Sequence, residues 1–164
     1  MQVLAGPRQV GKSTLVNQVL AQVSIPHTIE VADAVEPKDS DWIHRVWEAA
    51  PTTMMLRGID EYLLVIDEVQ KIDNWSEVVK REWDADSRNN VNLKVVLLGS
   101  SRLLLKKGLT ESLAGRFEMI RMPHWSLQEM RDAFGVVLDE YIYFGGYPGP
   151  AQMIKDERRW RKYI

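Results

Sequence analysis

The chain has 164 residues, 45% hydrophobic and 27% charged, with a formal net charge of −2. That length suits one domain with a sizeable core, and the near-balanced charge excludes a strong overall field toward nucleic acid or membrane. With no cysteine in the chain, disulfides, zinc–thiolate sites and a thiol nucleophile are excluded. No apolar run approaches a membrane span, and no charged segment leads into a long apolar one at the N-terminus, so a cytoplasmic protein is expected.

Met1 to Ala5 is short and mostly apolar, as a buried strand should be. Gly6-Pro7-Arg8-Gln9-Val10-Gly11-Lys12-Ser13 follows and fits Gly-x-x-x-x-Gly-Lys-Ser/Thr, the loop that wraps a nucleotide triphosphate. Behind it, Leu15, Val16, Val19, Leu20 and Val23 recur at helical spacing. Strand, glycine loop and helix is the context the motif requires. Gly6 and Gly11 permit backbone angles and close approach that a Cβ would block. The loop N–H groups can then face phosphate oxygens, helped by the helix dipole. Lys12 supplies a cation for the β- and γ-phosphates, and Ser13 a hydroxyl for Mg²⁺. Positions 6 to 13, with Thr14 next along the helix, are the candidate nucleotide-binding residues.

Pro26 breaks the helical pattern, and His27 to Val31 reads as a second strand with Asp33 at its end. Asp39 or Ser40 can cap a helix carrying Ile43, Val46 and Trp47, with Trp42 and Trp47 as packing residues and Pro51 as its end. Tyr62 to Ile66 is a continuous apolar run, the mark of a strand buried on both faces. It stops at Asp67-Glu68, where α/β sheets place ligand chemistry. Asp67 suits the Mg²⁺ shell, and Glu68 suits a base that orients and deprotonates an attacking water.

Asp73-Asn74-Trp75 opens a helix with Asn74 and Glu77 at capping-box spacing and an apolar face of Trp75, Val78, Val79 and Trp83. Ser87 to Asn92 reads as a polar turn. Lys94 to Leu98 is another buried strand, ending in Gly99-Ser100-Ser101. Ser100 can touch the γ-phosphate or the lytic water; Ser101 can do that or cap a helix. Arg102 to Lys107 is apolar with basic ends, and Thr110 can cap a short helix through Leu113. Phe117 to Met122 alternates like a strand and is closed by Pro123. Ser126 and Glu129 form a capping box for a helix with Leu127, Met130 and Phe134 on its apolar face. Val136 to Tyr147 is rich in aromatic and glycine residues, and Pro150 suits the first turn of a last helix. His27, His44 and His124 have no ligand spacing and read as surface or satisfied residues.

Five segments now stand in one order: positions 6–13, Ile-Asp-Glu-Val-Gln-Lys at 66–71 with Trp75, Gly-Ser-Ser at 99–101, Leu-Ala-Gly-Arg at 113–116 and Gly-Gly-Tyr-Pro at 145–148. That series resembles the bacterial and archaeal AAA-superfamily ATP-binding proteins that usually carry a C-terminal domain of unknown function. The resemblance implies an α/β P-loop NTPase three-layer sandwich with a parallel sheet of order 5-1-4-3-2. It implies an ATPase core over 1–123 and the start of a helical lid over 124–164. Ser100 takes the sensor position, and Arg116 matches the arginine such proteins present to a neighbour's γ-phosphate. Leu98 stands where members of the group often have threonine. The chain begins on its first strand and ends inside a helix, which predicts a piece truncated at both ends, without the C-terminal domain.

The reading is an ATP-binding domain that binds Mg-ATP and hydrolyses it slowly to drive or switch an attached domain or partner, a homo-oligomer neighbour among them. The alternatives are a nucleotide-dependent switch with little turnover and a P-loop kinase. Lys106-Lys107 and Arg158 to Lys162 are the basic clusters open to nucleic acid; a solvated helix face is the plainer reading of both.

Overall fold

The computed structural model describes residues 1–100 and 113–163. Ser101, the stretch 102–107 and the Thr110 cap lie outside the described residues. Five parallel strands form one sheet: β1 (Gln2–Gly6), β2 (His27–Val31), β3 (Tyr62–Asp67), β4 (Leu93–Ser100) and β5 (Glu118–Arg121). Their spatial order is β2-β3-β4-β1-β5, which is the expected 5-1-4-3-2 read from the other edge.

Alternate side chains on each strand point to opposite faces, so each face needs its own cover. On one face Val3, Ala5, Leu64, Ile66, Val95 and Leu97 pack against α2 (Asp41–Arg57) and α3 (Trp75–Asn89). Trp47 and Trp75 are fully buried there, and the Trp47 indole donates to Asp86 Oδ2 at 2.7 Å. On the other face Leu4, Val65 and Leu98 meet Leu20 and Val16 of α1 (Lys12–Leu20). The result is three layers. Leu15 and Val19, though in helical phase with the core residues, are exposed on α1.

On the helices that cover the sheet, three local expectations change. Pro51 does not end α2, which runs on to Arg57. A proline removes one intrahelical N–H, and the next hydroxyls bond back into the same turn: Thr52 Oγ1 donates to the Glu48 carbonyl at 2.9 Å and Thr53 Oγ1 to that of Ala49 at 2.7 Å. Asn74 does precede α3, but in the left-handed region (φ 54°) with no side-chain cap, so the capping box with Glu77 does not form. The polar stretch after Ser87 continues α3 to Asn89, because the terminus is set by Asn90 in the left-handed region rather than by loss of apolar residues.

Beyond β5 the chain builds a small separate cluster. The Ser126–Glu129 capping box forms in full and starts α4 (Leu127–Phe134). A helix not expected from the sequence, α5 (Leu138–Phe144), follows, its entry held by Glu140 accepting from the Val137 N–H at 3.0 Å. Pro150 leads into a 3-10 turn at Ala151–Met153, and the last helix, α6 (Glu157–Tyr163), begins only later. Met130, Val136 and Ala151 form the core of this unit.

Candidate functional site

The C-terminal ends of β1, β4 and β3 bring the predicted residues together. In register Gly6 lies beside Ser100, and Ser100 is buried. Gly6 must be glycine: a Cβ there would sit 2.0 Å from the Met122 carbonyl oxygen. Gly11 has φ 92°, which only glycine adopts readily, and it hands the chain to α1.

Arg8, Gln9, Gly11, Lys12, Ser13, Thr14 and Glu68 line a cavity of about 260 Å³ above this edge. Pro7 and buried Val10 shape the loop without lining the cavity. The buried Lys12 ammonium donates to the carbonyls of Gly6 at 3.1 Å and Pro7 at 2.6 Å. Burial lowers its pKa below the ordinary lysine value, and the Glu68 and Asp67 carboxylates oppose that shift. Ser13 Oγ donates to Asp67 Oδ2 at 2.6 Å. A hydroxyl and a carboxylate converging in this way are hard oxygen donors of the kind Mg²⁺ takes together with phosphates and water. The expected metal pair is therefore adjacent.

Backbone strain marks the same place. Four non-glycine residues among those described have positive φ: Gln9, Glu68, Asn74 and Asn90. The two asparagines flank α3 as helix caps, a role asparagine tolerates. Gln9 (φ 64°) and Glu68 (φ 55°, the residue that opens the 3-10 turn Val69–Lys71) are not asparagine, and both line the cavity. Strain of about 1–3 kcal/mol per residue persists where the surroundings impose it, and it clusters at ligand sites.

The segment after β3 holds Glu68 in place. Its N–H donates to Asp67 Oδ1 at 2.8 Å, and its carboxylate accepts from Gln70 Nε2. Lys71 pairs with Asp33 in the 3-10 turn that follows β2. Gln70 and Lys71 thus have structural work beside the two acids.

Arg116 is placed elsewhere. Its guanidinium forks onto Asp84 of α3 at 2.8 and 3.0 Å, and a further N–H donates to the Ala114 carbonyl at 3.2 Å. That pairing raises the Arg116 pKa and lowers that of Asp84.

A second cavity of about 500 Å³ adjoins the first and shares Gln9, Gly11 and Thr14 with it. Its walls include Leu15 and Gln18 from α1 and Met122, Trp125, Phe134, Pro148 and Tyr163 from beyond β5. The sequence reading missed these. Exposed Leu15 is the one local hint, since an apolar residue on the outer side of α1 has a cavity to line. Another cavity, of about 530 Å³, sits at the opposite ends of β1 and β4 and contains none of the predicted residues.

Among known proteins, a family profile described as AAA domain matches residues 1–131. An uncharacterised protein of Haemophilus influenzae is 25% identical over 162 residues, taking in 90% of this chain and 39% of the relative. One of Methanocaldococcus jannaschii is 28% identical over 110 residues, taking in 57% of this chain and 23% of the relative. The chain therefore spans about two-fifths or less of these curated relatives. A solved structure of a Thermotoga maritima RuvB variant superposes with a TM-score of 0.59 at 14% identity, covering 96% of this chain and 53% of that one. At that identity the likeness is one of fold.

Proposed function

The chain belongs to the AAA domain family, and from that premise we propose that the glycine loop binds Mg-ATP and that the domain hydrolyses it slowly to ADP and phosphate. The observation that carries this reading is the Ser13–Asp67 pair at 2.6 Å beside the buried Lys12 ammonium. Lys12 exchanges its contacts to the Gly6 and Pro7 carbonyls for β- and γ-phosphate oxygens, with loop N–H groups and Arg8 around the remaining charge. Ser13 and Asp67 would hold Mg²⁺, which when bound neutralises charge on the phosphates. Ser100 orients the γ-phosphate or the water. Glu68 accepts a proton from the attacking water as its oxygen bonds to the γ-phosphorus and the bond to the bridging oxygen breaks. The aromatic-walled second cavity suits the adenine ring, since such pockets are mainly apolar with few polar groups.

The test is ATP turnover of Glu68→Gln against wild type, with binding measured alongside. A loss of about 10²–10⁴-fold in rate at retained affinity is expected. Equal rates would remove Glu68 as the base.

A nucleotide-dependent switch with little turnover is the second reading, favoured by the Asp84 carboxylate that already holds the Arg116 guanidinium. It requires different affinities of the two conformations for ATP and ADP. Equal protease sensitivity with ATP, ADP and no nucleotide would count against it. In either case we take 1–123 as the core, 124–164 as the start of a lid, and the remaining length of the relatives as the source of an attached domain. In the hydrolysing reading a neighbouring copy would receive Arg116 at its γ-phosphate in place of Asp84, and a cytoplasmic setting supplies the ATP.

A further inference from the structure

No residue of the Gly-Gly-Tyr-Pro segment at 145–148 lines the cavity that holds Lys12, yet the segment bonds to the glycine loop's neighbour Trp125, and Pro148 shares the second cavity with Gln9 and Gly11. Gly146 lies so close to Trp125 that a Cβ at 146 would be 2.0 Å from the Trp125 carbonyl oxygen. The Gly146 carbonyl accepts from the Trp125 N–H at 3.0 Å, and the Trp125 carbonyl accepts from the Tyr141 hydroxyl at 2.8 Å. With its backbone fixed in this way, Trp125 aims its indole N–H at the Val10 carbonyl, 3.0 Å away.

Val10 stands between two left-handed residues, Gln9 and Gly11, and is fully buried. No peptide in the described chain is cis. In a trans peptide the carbonyl and the following N–H point to opposite sides. A Val10 carbonyl turned toward Trp125 therefore turns the Gly11 N–H away from it. Gly11 is also a wall of the cavity that holds Lys12 and Ser13.

We propose that Trp125 is a positioning residue: its indole N–H fixes the Val10–Gly11 peptide so that the Gly11 N–H is presented to a bound phosphate. Gly-Gly-Tyr-Pro is the seat that holds Trp125 in place. Docking of the segment beyond β5 and binding of phosphate then become one coupled event. The inference rests on the reading of the loop as an ATP site. If the indole contact is lost, the peptide is free to rotate and present its carbonyl oxygen to the phosphate, a repulsive arrangement. Coupling of this kind is reciprocal, so a phosphate on the Gly11 N–H also strengthens the hold of Trp125 on the loop.

The test replaces Trp125 in the full chain with 3-benzothienyl-alanine, which keeps the bicyclic shape and its packing on Phe134 but lacks the N–H. Mg-ATP, inorganic tripolyphosphate and adenosine are titrated separately, and Tm is recorded. Affinity for the two phosphate ligands should fall about tenfold, the worth of one net hydrogen bond, and by more than the affinity for adenosine, which would meet the ring face of residue 125 rather than its N–H. A purely structural role would weaken all three ligands alike, with or without a lower Tm, and that outcome overturns the proposal. Unchanged tripolyphosphate affinity in the variant, with wild type binding normally, also overturns it while leaving the ATP site standing. Failure of wild type itself to bind Mg-ATP or tripolyphosphate would sink the ATP reading and this inference together.

Discussion

Ser13 and Asp67 stand 54 residues apart in sequence, yet the serine hydroxyl donates to the carboxylate at 2.6 Å. The sheet order makes this possible: β4 separates β1 from β3, and all three end at the same edge. The pair is the proposed clasp for Mg²⁺. Ser13→Ala and Asp67→Asn should each weaken Mg-ATP binding by about 10–100-fold, the range of a charge-assisted hydrogen bond or a lost ligand. Binding of ATP in the presence of a chelator should change much less, which separates loss of the metal from loss of the loop. Titration with and without Mg²⁺ measures both.

Gly6→Ala should damage the loop from behind. The added methyl meets the Met122 backbone oxygen, and the Met122 N–H is tied to the Ala5 carbonyl at 2.9 Å. Neither side can yield cheaply, so a stability loss of about 1–3 kcal/mol is expected together with lost nucleotide affinity. Denaturant melts check the first and titration the second.

Lys12 predicts a pH dependence. Burial lowers its pKa in the folded chain, so it loses its proton at a lower pH than a free lysine does. Mg-ATP affinity should fall as pH rises into the window just below the ordinary lysine value. Stability of the ligand-free fold should move the other way there, because the folded state binds fewer protons than the unfolded one. A bound triphosphate raises the Lys12 pKa, so binding in that window should take up protons. Calorimetry in buffers of different ionisation enthalpy reads the uptake directly.

Arg116 should separate binding from turnover. Held by Asp84, it is far from idle structurally, and its hydrogen bonds go to Asp84 and the Ala114 carbonyl. Arg116→Ala should leave Mg-ATP affinity unchanged. Turnover under conditions where copies associate should fall by about 10³-fold or more if a neighbour uses it. Mixing Arg116→Ala with Lys12→Ala chains would then restore part of the activity, because each supplies what the other lacks.

How much of this the sequence disclosed depends on how local each signal is. The β3 run ending at Asp67-Glu68 was legible because a central strand buried on both faces shows as unbroken apolar residues. Ser126 and Glu129 were legible because a capping box needs only four consecutive positions. Pro51 misled, since the hydroxyls of Thr52 and Thr53 bond back around it. Helix α5 was hidden because none of its residues is buried, leaving no periodic core face to read. The second cavity was out of reach altogether: Leu15 and Trp125 meet across it from segments that share no motif. Strand order came from the family resemblance, since periodicity identifies strands but does not say which ones are neighbours.

The most direct measurement is isothermal titration calorimetry of Mg-ATP into the purified protein and into its Lys12→Ala variant, both shown to be folded by circular dichroism. One site per chain with wild type, and at least a hundredfold weaker binding in the variant, is the expected result, on the order of two hydrogen bonds from a cation to phosphate. No heat of binding with folded wild type, or equal affinity in the two proteins, would contradict the assignment of positions 6 to 13 as the seat of the triphosphate.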